Sequence, residues 1–254
     1  MIILNKYEDK NYLYNNYINK KLSTYRIGKL CNVTGETIQN WMKKFNIPCR
    51  SYSELRHSER ANHCNLTQKA LEWINGELLG DGNLSSTSIY SAKFAYSSKY
   101  PEYIEYVRDT LDEFGIEQVG KIYKMYHKDY GNYSYRYCSR AYIELLPIYK
   151  QWYPEGEKIV PKDIKLTPLT VRQWHIGDGC LMHRERRKPF IILCTNGFLV
   201  SDVKWLIGQF KKLNFLTKIQ PSTNVIRVTS YSTKEFLNFI GKCPVKCYQY
   251  KWAY

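Results

Sequence analysis

Two aspartates are the residues of this chain best placed to do chemistry. Each ends a mostly apolar stretch and sits between glycines. The first closes Ile74-Asn75-Gly76-Glu77-Leu78-Leu79-Gly80-Asp81-Gly82, the second Val171-Arg172-Gln173-Trp174-His175-Ile176-Gly177-Asp178-Gly179. An apolar residue follows shortly after each motif, Leu84 and Leu181. Glycine just past a helix is ordinary C-terminal capping, so each stretch reads as a helix with an acid at its last turn. An acid there opposes the partial negative charge of the helix end and calls for a cation. If the two helices pack side by side, their carboxylates meet at one end. Gly76 and Gly80, four apart, leave a bare stripe for that approach. Two carboxylates so close cannot both stay ionised unaided. A divalent metal supplies the help, and Mg²⁺ favours oxygen ligands of this kind.

The rest of the chain must position those acids. A length of 254 residues allows a real core and two or three modules. Lys plus Arg total 38 against 23 Asp plus Glu, a net charge of +15. A polyanion is the natural partner of such a chain. The 24 tyrosines, interleaved with basic residues, suit phosphate contact and base stacking. The opening Met1-Ile2-Ile3-Leu4 meets Asn5, Lys6 and Glu8 at once, so no signal peptide is read there. No apolar run approaches a membrane span. The eight cysteines are scattered and read as reduced thiols in an intracellular, cytoplasmic protein. Cys243 and Cys247 suggest zinc, but no second spaced pair completes a site.

Residues 1–50 read as a small all-α module. Ser23 or Thr24 caps a helix with Ile27, Leu30 and Cys31 inward; Asn32-Val33 turns; Thr34 caps a second helix with Ile38, Trp41, Met42 and Phe45 inward. This is a helix-turn-helix pattern, similar to that of resolvases and many regulators. It would turn Glu36, Thr37, Gln39, Asn40 and Lys43 to a major groove and Lys44 and Arg50 to phosphate. Residues 51–65 are polar and read as a linker.

From residue 66 the chain repeats itself, 66–157 and then 158–254. Thr67 and Thr167 start the motif helices. Strand character follows at Lys93 to Ser97 and at Phe190 to Cys194. Helices are expected over Pro101 to Phe114 and Val200 to Leu213, hairpins over Tyr123 to Tyr137 and Lys218 to Thr229, and last helices over Ala141 to Tyr149 and Thr233 to Ile240. A period near 95 residues indicates duplication rather than a solenoid.

Paired Gly-Asp-Gly motifs in such a duplication resemble the LAGLIDADG homing endonucleases, notably the branch of intron-encoded endonucleases and maturases. Trp174, Asp178-Gly179, Thr195-Asn196-Gly197-Phe198 and Tyr250-Lys251-Trp252 carry the likeness in the second copy. Glu77 and Gln173 depart from the pattern, and Gln173 in place of a small residue suggests looser helix packing. The resemblance implies an α+β fold: a pseudo-two-fold αββαββα duplication behind the helix-turn-helix. It implies a monomer that cuts double-stranded DNA at a specific site during intron homing. Asp81 and Asp178 would hold two or three Mg²⁺ ions, with the Gly80 and Gly177 carbonyls as further ligands. Arg136 and Arg227, read as equivalent on the two exit strands, and Lys158 are the candidates for organising water. Lys93, Tyr126, Lys128, Tyr133 and Tyr135 of the first copy, and the basic run Arg184, Arg186, Arg187 and Lys188 beside Asp178, would contact DNA. His175 reads as buried rather than catalytic. The alternative is a binder that does not cut, either a maturase acting on intron RNA or a DNA-binding regulator.

Overall fold

The computed structural model describes residues 5–49 and 62–254. The chain divides into two compact units, 1–61 and 62–254. Arg50 and residues 51–61 of the expected linker lie outside the described residues.

In the first unit, α1 (Lys10–Tyr14) is capped by Asp9 and continues as a wider turn over Asn15–Asn19. Helices α2 (Thr24–Cys31) and α3 (Gly35–Lys44) follow. The hydroxyls of Ser23 and Thr34 accept from the backbone amides of Arg26 and Thr37, which satisfies a free donor at each helix start. Asn32 takes the left-handed conformation that ends α2. A Cβ at Gly28 would lie 2.6 Å from the Val33 carbonyl oxygen, so the tight turn between the helices requires glycine there. Leu13, Tyr17, Ile27, Ile38, Met42 and Ile47 form the core. Leu30, expected inward, is 62% exposed. The inward stripe of α2 runs through Ile27, Gly28 and Cys31, which leaves Leu30 beyond its edge.

The second unit uses one pattern twice. The first pass is α4 (Gln68–Leu79), β1 (Asn83–Ser88), β2 (Ser91–Ser98), α5 (Pro101–Glu113), β3 (Tyr123–His127), β4 (Asn132–Cys138) and α6 (Leu145–Trp152). The second is α7 (Pro168–Asp178), β5 (Gly179–Arg184), β6 (Arg187–Leu193), α8 (Val200–Lys212), β7 (Thr217–Gln220), β8 (Val225–Val228) and α9 (Thr233–Ile240). A 3₁₀ turn, Lys246–Trp252, follows. The two sheets are antiparallel, with strand orders β1-β2-β4-β3 and β5-β6-β8-β7.

Strand alternation sorts each sheet into two faces. One face is buried. Leu84, Phe94, Tyr96 and Tyr137 share the core with Tyr103, Val107 and Leu111 of α5. Leu181, Ile191, Leu193, Ile226 and Val228 do the same with Val203, Leu206 and Phe210 of α8. A single core spans both repeats, joined through α4 and α7.

The last helix of the first repeat begins at Leu145, later than the expected Ala141. Tyr142 explains the delay. Its backbone exchanges hydrogen bonds with Ala92, so this stretch extends the sheet before the helix can start.

The motif helices pack closely despite Gln173. A Cβ at Gly76 would lie 2.5 Å from the Thr170 carbonyl oxygen and 2.8 Å from the Gln173 Cβ. The glycine on one helix thus makes the room that glutamine takes on the other. The Gln173 amide donates to Glu77 Oε1 at 2.7 Å, and Tyr103 donates to the same oxygen at 2.6 Å. The two departures from the repeat pattern are therefore partners. At the far end, the Thr167 and Thr170 hydroxyls of the second helix start donate to Glu72 of the first.

Candidate active site

Helices α4 and α7 bring their ends together at the two Gly-Asp dipeptides. A Cβ at Gly80 would lie 3.3 Å from the Gly177 Cα and 3.6 Å from the Asp178 amide nitrogen. One at Gly177 would lie 3.0 Å from the Asp81 amide nitrogen and 3.6 Å from Asp81 Oδ2. The backbones touch, and only residues without side chains permit it. Gly80 and Asp81 lie just past α4, whereas Asp178 is the last residue of α7.

The acids differ in surroundings. Asp81 is exposed, and the buried Tyr96 hydroxyl donates to its Oδ2 at 3.3 Å. Asp178 is half-buried. Burial pushes its carboxyl up to about 6, and the nearby Asp81 charge adds to the rise against the pull of Lys158 and Lys251.

Two lysines attend the two helix ends. The Lys158 ammonium donates to the carbonyls of Gly80 at 3.3 Å and Gly82 at 3.0 Å. The Lys251 ammonium donates to Ile176 at 2.5 Å, Gly177 at 3.0 Å and His175 at 3.5 Å. Lys251 satisfies the Ile176 and Gly177 carbonyls at the end of α7, Lys158 those of the turn just past α4, and each cation neutralises the negative pole of its helix end. Burial lowers both; Lys158 falls to about 8, held up against further loss by Asp178 and Asp81. The connector fixes Lys158. The Ile159 amide donates to the Trp152 carbonyl at 2.8 Å. The Val160 amide donates to Asp202 of α8 at 3.0 Å, and Lys162 pairs with the same carboxylate.

The glycine carbonyls expected to ligate metal are thus the lysines' acceptors, Gly80 for Lys158 and Gly177 for Lys251. Arg136 and Arg227 are not equivalent. Fourteen residues past Asp81, Ala95 pairs with Cys138; fourteen past Asp178, Ile192 pairs with Arg227. The counterpart of Arg227 is therefore Cys138, and Arg136 is offset by two residues. Arg136 is exposed on the outward sheet face. The Arg227 guanidinium lies 3.9 Å from the Phe190 ring centroid, and that of Arg184 lies 4.6 Å from it.

The expected DNA-contact residues of the first hairpin divide between two faces. Lys93 shares the outward face with Arg136. Tyr126, Tyr133 and Tyr135 alternate with Arg136 and share the face of Tyr137, where Tyr135 packs against the core. Tyr126 and Tyr133 stay exposed and pack on each other, ring centroids 5.0 Å apart. Lys128 begins the hairpin turn. Arg184, Arg186, Arg187 and Lys188 are exposed around the β5–β6 turn, with Arg186 at φ 57°. In the first unit, Glu36, Gln39, Asn40, Lys43 and Lys44 are exposed on α3, and Thr37 is engaged in the helix cap. His175 is fully buried, its ring at the Lys251 carbonyl, and burial pushes it down to about 3.

Sequence reasoning missed Lys251 and Tyr96 as neighbours of the acids. Lys251 and Lys158 are 93 residues apart and the aspartates 97, so one fixed offset does not align both pairs.

The residues fit a divalent ion. The rise at Asp178 partly reflects a second carboxylate beside it, a strain that a cation relieves. Among the described residues no cluster of three or more His, Cys, Asp or Glu side chains forms, so a metal here would draw its other ligands from backbone, solvent or substrate oxygens.

Residues 71–236 match the LAGLIDADG DNA endonuclease family. The chain belongs to this family. It is similar to the uncharacterized protein MJ1098 of Methanocaldococcus jannaschii, 26% identical over 204 residues that cover 79% of this chain and 77% of that protein. It is also similar to the cytochrome b mRNA maturase bI2 of Debaryomyces hansenii, 25% identical over 161 residues, 57% of this chain and 56% of the maturase. Among solved structures, the homing endonuclease I-WcaI bound to its DNA recognition sequence shares the fold, with a TM-score of 0.65 and 20% identity over 82% of this chain and 96% of that one. The LAGLIDADG helices of this chain are α4 and α7. LAGLIDADG endonucleases use divalent metals.

Proposed function

We propose that this chain is a site-specific, Mg²⁺-dependent double-strand DNA endonuclease acting as a monomer. The observation that carries the reading is the meeting of Asp81 and Asp178 at touching helix ends, each with a lysine beneath it. Divalent ions held there supply Lewis-acid stabilisation and a nucleophilic water at neutral pH. The two carboxylates hold the charge that keeps such ions in place. Lys158 and Lys251 fix the helix ends that aim the carboxylates. The lowered Lys158 ammonium also offers a readily exchanged proton at Nζ beside the acid pair. Lys93 and Arg136 on one sheet, with Arg184, Arg186, Arg187 and Lys188 on the other, contact the DNA backbone. Gln39, Asn40 and Lys43 of α3 read bases separately.

The test is cleavage of a plasmid carrying the intron-free allele of the host locus, in Mg²⁺. Linear product is expected from the wild type. A protein that binds this plasmid and never cuts it in Mg²⁺ would overturn the reading. The similarity to a maturase supports one second reading, intron RNA as partner without cleavage. Tight binding of the cognate intron transcript by such a non-cutting protein would establish that reading instead.

A further inference from the structure

The second repeat has a cleft that the first repeat fills. It lies beside the edge strand β7 and measures about 520 Å³, within the usual range for small-ligand sites. Ile207, Phe215, Leu216 and Tyr231 give it apolar walls, and Lys211 and Lys218 stand at its rim. Tyr231 is 77% exposed. Two further lining groups are unsatisfied: Arg227 Nε and Thr229 Oγ1 are buried without a hydrogen-bond partner among the described residues. Buried donors left unpaired are uncommon and point to a missing acceptor.

The equivalent place in the first repeat shows how the cleft arises. The Arg140 amide donates to the Glu117 carbonyl as the Thr229 amide donates to that of Leu216, which makes Tyr142 the counterpart of Tyr231. Tyr142 is 2% exposed, and its hydroxyl accepts from the Glu117 amide at 2.8 Å. Arg140 and Glu117 form an ion pair across the same place. In the second repeat the Ser232 hydroxyl accepts from the Leu216 amide at 2.9 Å instead. Tyr231 is thereby freed to face solvent, and the ion pair is replaced by Leu216 and Thr229. Asp112 of the first repeat becomes Lys211. The pocket has opened and changed sign.

We propose that this cleft binds an unpaired nucleotide of a nucleic-acid strand. An exposed tyrosine offers a stacking face, the lysines match a phosphate, and Arg227 Nε and Thr229 Oγ1 supply donors to base or phosphate oxygens. A base inside a duplex has both faces covered by its neighbours, so only one out of the stack can use Tyr231. The site is independent of the acid pair and stands whether or not the chain cuts DNA.

The test measures binding of the full chain, in EDTA, to fluorescent oligo(rU), oligo(dT) and mixed-sequence duplex, each of about twelve nucleotides. Tyr231→Ala is expected to weaken single-strand binding about fivefold or more and leave duplex binding unchanged. Leu216→Glu, which restores the first-repeat residue at an exposed position, is expected to do the same. Lys211→Glu is expected to lower the salt slope for single strands by about one. Tighter binding of oligo(rU) assigns RNA as the source; equal binding assigns any unpaired strand, and either supports the site. The proposal is overturned if Tyr231→Ala and Leu216→Glu both bind single strands as the wild type does. It is also overturned if duplex affinity falls by the same factor, or if a poly-glutamate peptide competes as well as the oligonucleotides.

Discussion

Asp81 and Asp178 occupy the same place in the two repeats, yet the chain has treated them differently. Asp81 is exposed and takes a hydrogen bond from Tyr96. Asp178 is half-buried, has been pushed up to about 6, and lies where Leu193 replaces the tyrosine. The lysines differ as well. Lys158 comes from the connector between repeats, held by bonds to both, whereas Lys251 comes from the 3₁₀ turn after α9 and is buried. Duplication has kept the backbone frame and the charge count at each helix end while the side chains supporting them diverged. The frame is therefore what the chemistry needs in duplicate, and the supports are where the two halves can act unequally.

The largest expected effect tests whether the acids work as a unit. Asp81→Asn and Asp178→Asn should each lower linearisation of a target plasmid more than about a hundredfold with DNA binding retained, since removing even a supporting group of a metal site costs ten- to a hundredfold. If the ions are shared, nicking falls with linearisation in both variants. If each acid serves one strand alone, each variant still nicks at the wild-type rate. That outcome would separate the two halves fully.

The lysines come next. Lys158→Met and Lys251→Met should each slow cleavage about ten- to a hundredfold. They should differ in stability. Lys251→Met leaves the buried Ile176 carbonyl and the half-buried Gly177 carbonyl without their lysine donor, a loss of about 1–3 kcal/mol that thermal melting would show. Lys158 is itself only half-buried, so water can take its place at the Gly80 and Gly82 carbonyls, and its loss should melt closer to wild type. Equal melting of the two variants would erase this contrast.

A third difference lies one helical turn earlier. Glu77 is fully buried where the second repeat has Trp174, and burial pushes its carboxyl up to about 8. Tyr103 and Gln173 bond it, and the Asp81 charge and Tyr96 lie close by. Between the ordinary carboxylate range and about 8, the folded chain holds a proton that the unfolded chain lacks. Stability from this group is therefore complete in acid, declines as pH rises toward 8, and is flat beyond, at about 1.4 kcal/mol per pH unit at most. Glu77→Gln should remove that decline, narrowing the melting difference between pH 5 and pH 8. An unchanged difference would mean that Glu77 is not the group responsible.

Much of this was legible in the sequence because it rests on backbone rules. Glycine stops, threonine caps and apolar periodicity mark α4, α7, α5, α8 and α9, and the α9 limits Thr233–Ile240 are those read from the chain. Long-range compensation was not legible. Glu77 and Gln173 each look like a flaw alone and become a pair only when Gly76 lets the helices touch. Arg136 and Arg227 share a local pattern, Arg before an aromatic or aliphatic residue, but register decides equivalence and the hairpins differ in length. Lys251 lies far from Asp178 in sequence and reaches α7 only through the fold. The pattern also gave no sign that Tyr142 turns inward while Tyr231 turns outward, because that choice depends on which hydroxyl satisfies one backbone amide.

The smallest effect is the sharpest probe of the asymmetry. Tyr96→Phe keeps the ring in its contacts with Tyr103 and removes only the hydroxyl that holds Asp81. The second repeat has no such hydroxyl, so one half loses its support and the other loses nothing. A hydrogen bond to a charged group contributes about 1.5–3 kcal/mol when well formed; at 3.3 Å the expectation is a slowing of about threefold to tenfold. It should fall on one strand, so nicked plasmid should accumulate ahead of linear product, and end-labelled duplex should show which strand lags. Equal slowing of both strands would mean that the carboxylates share their ions so fully that orienting one orients both. No slowing, with an unchanged melting temperature, would leave Tyr96 as a packing residue and make burial alone the difference between Asp81 and Asp178.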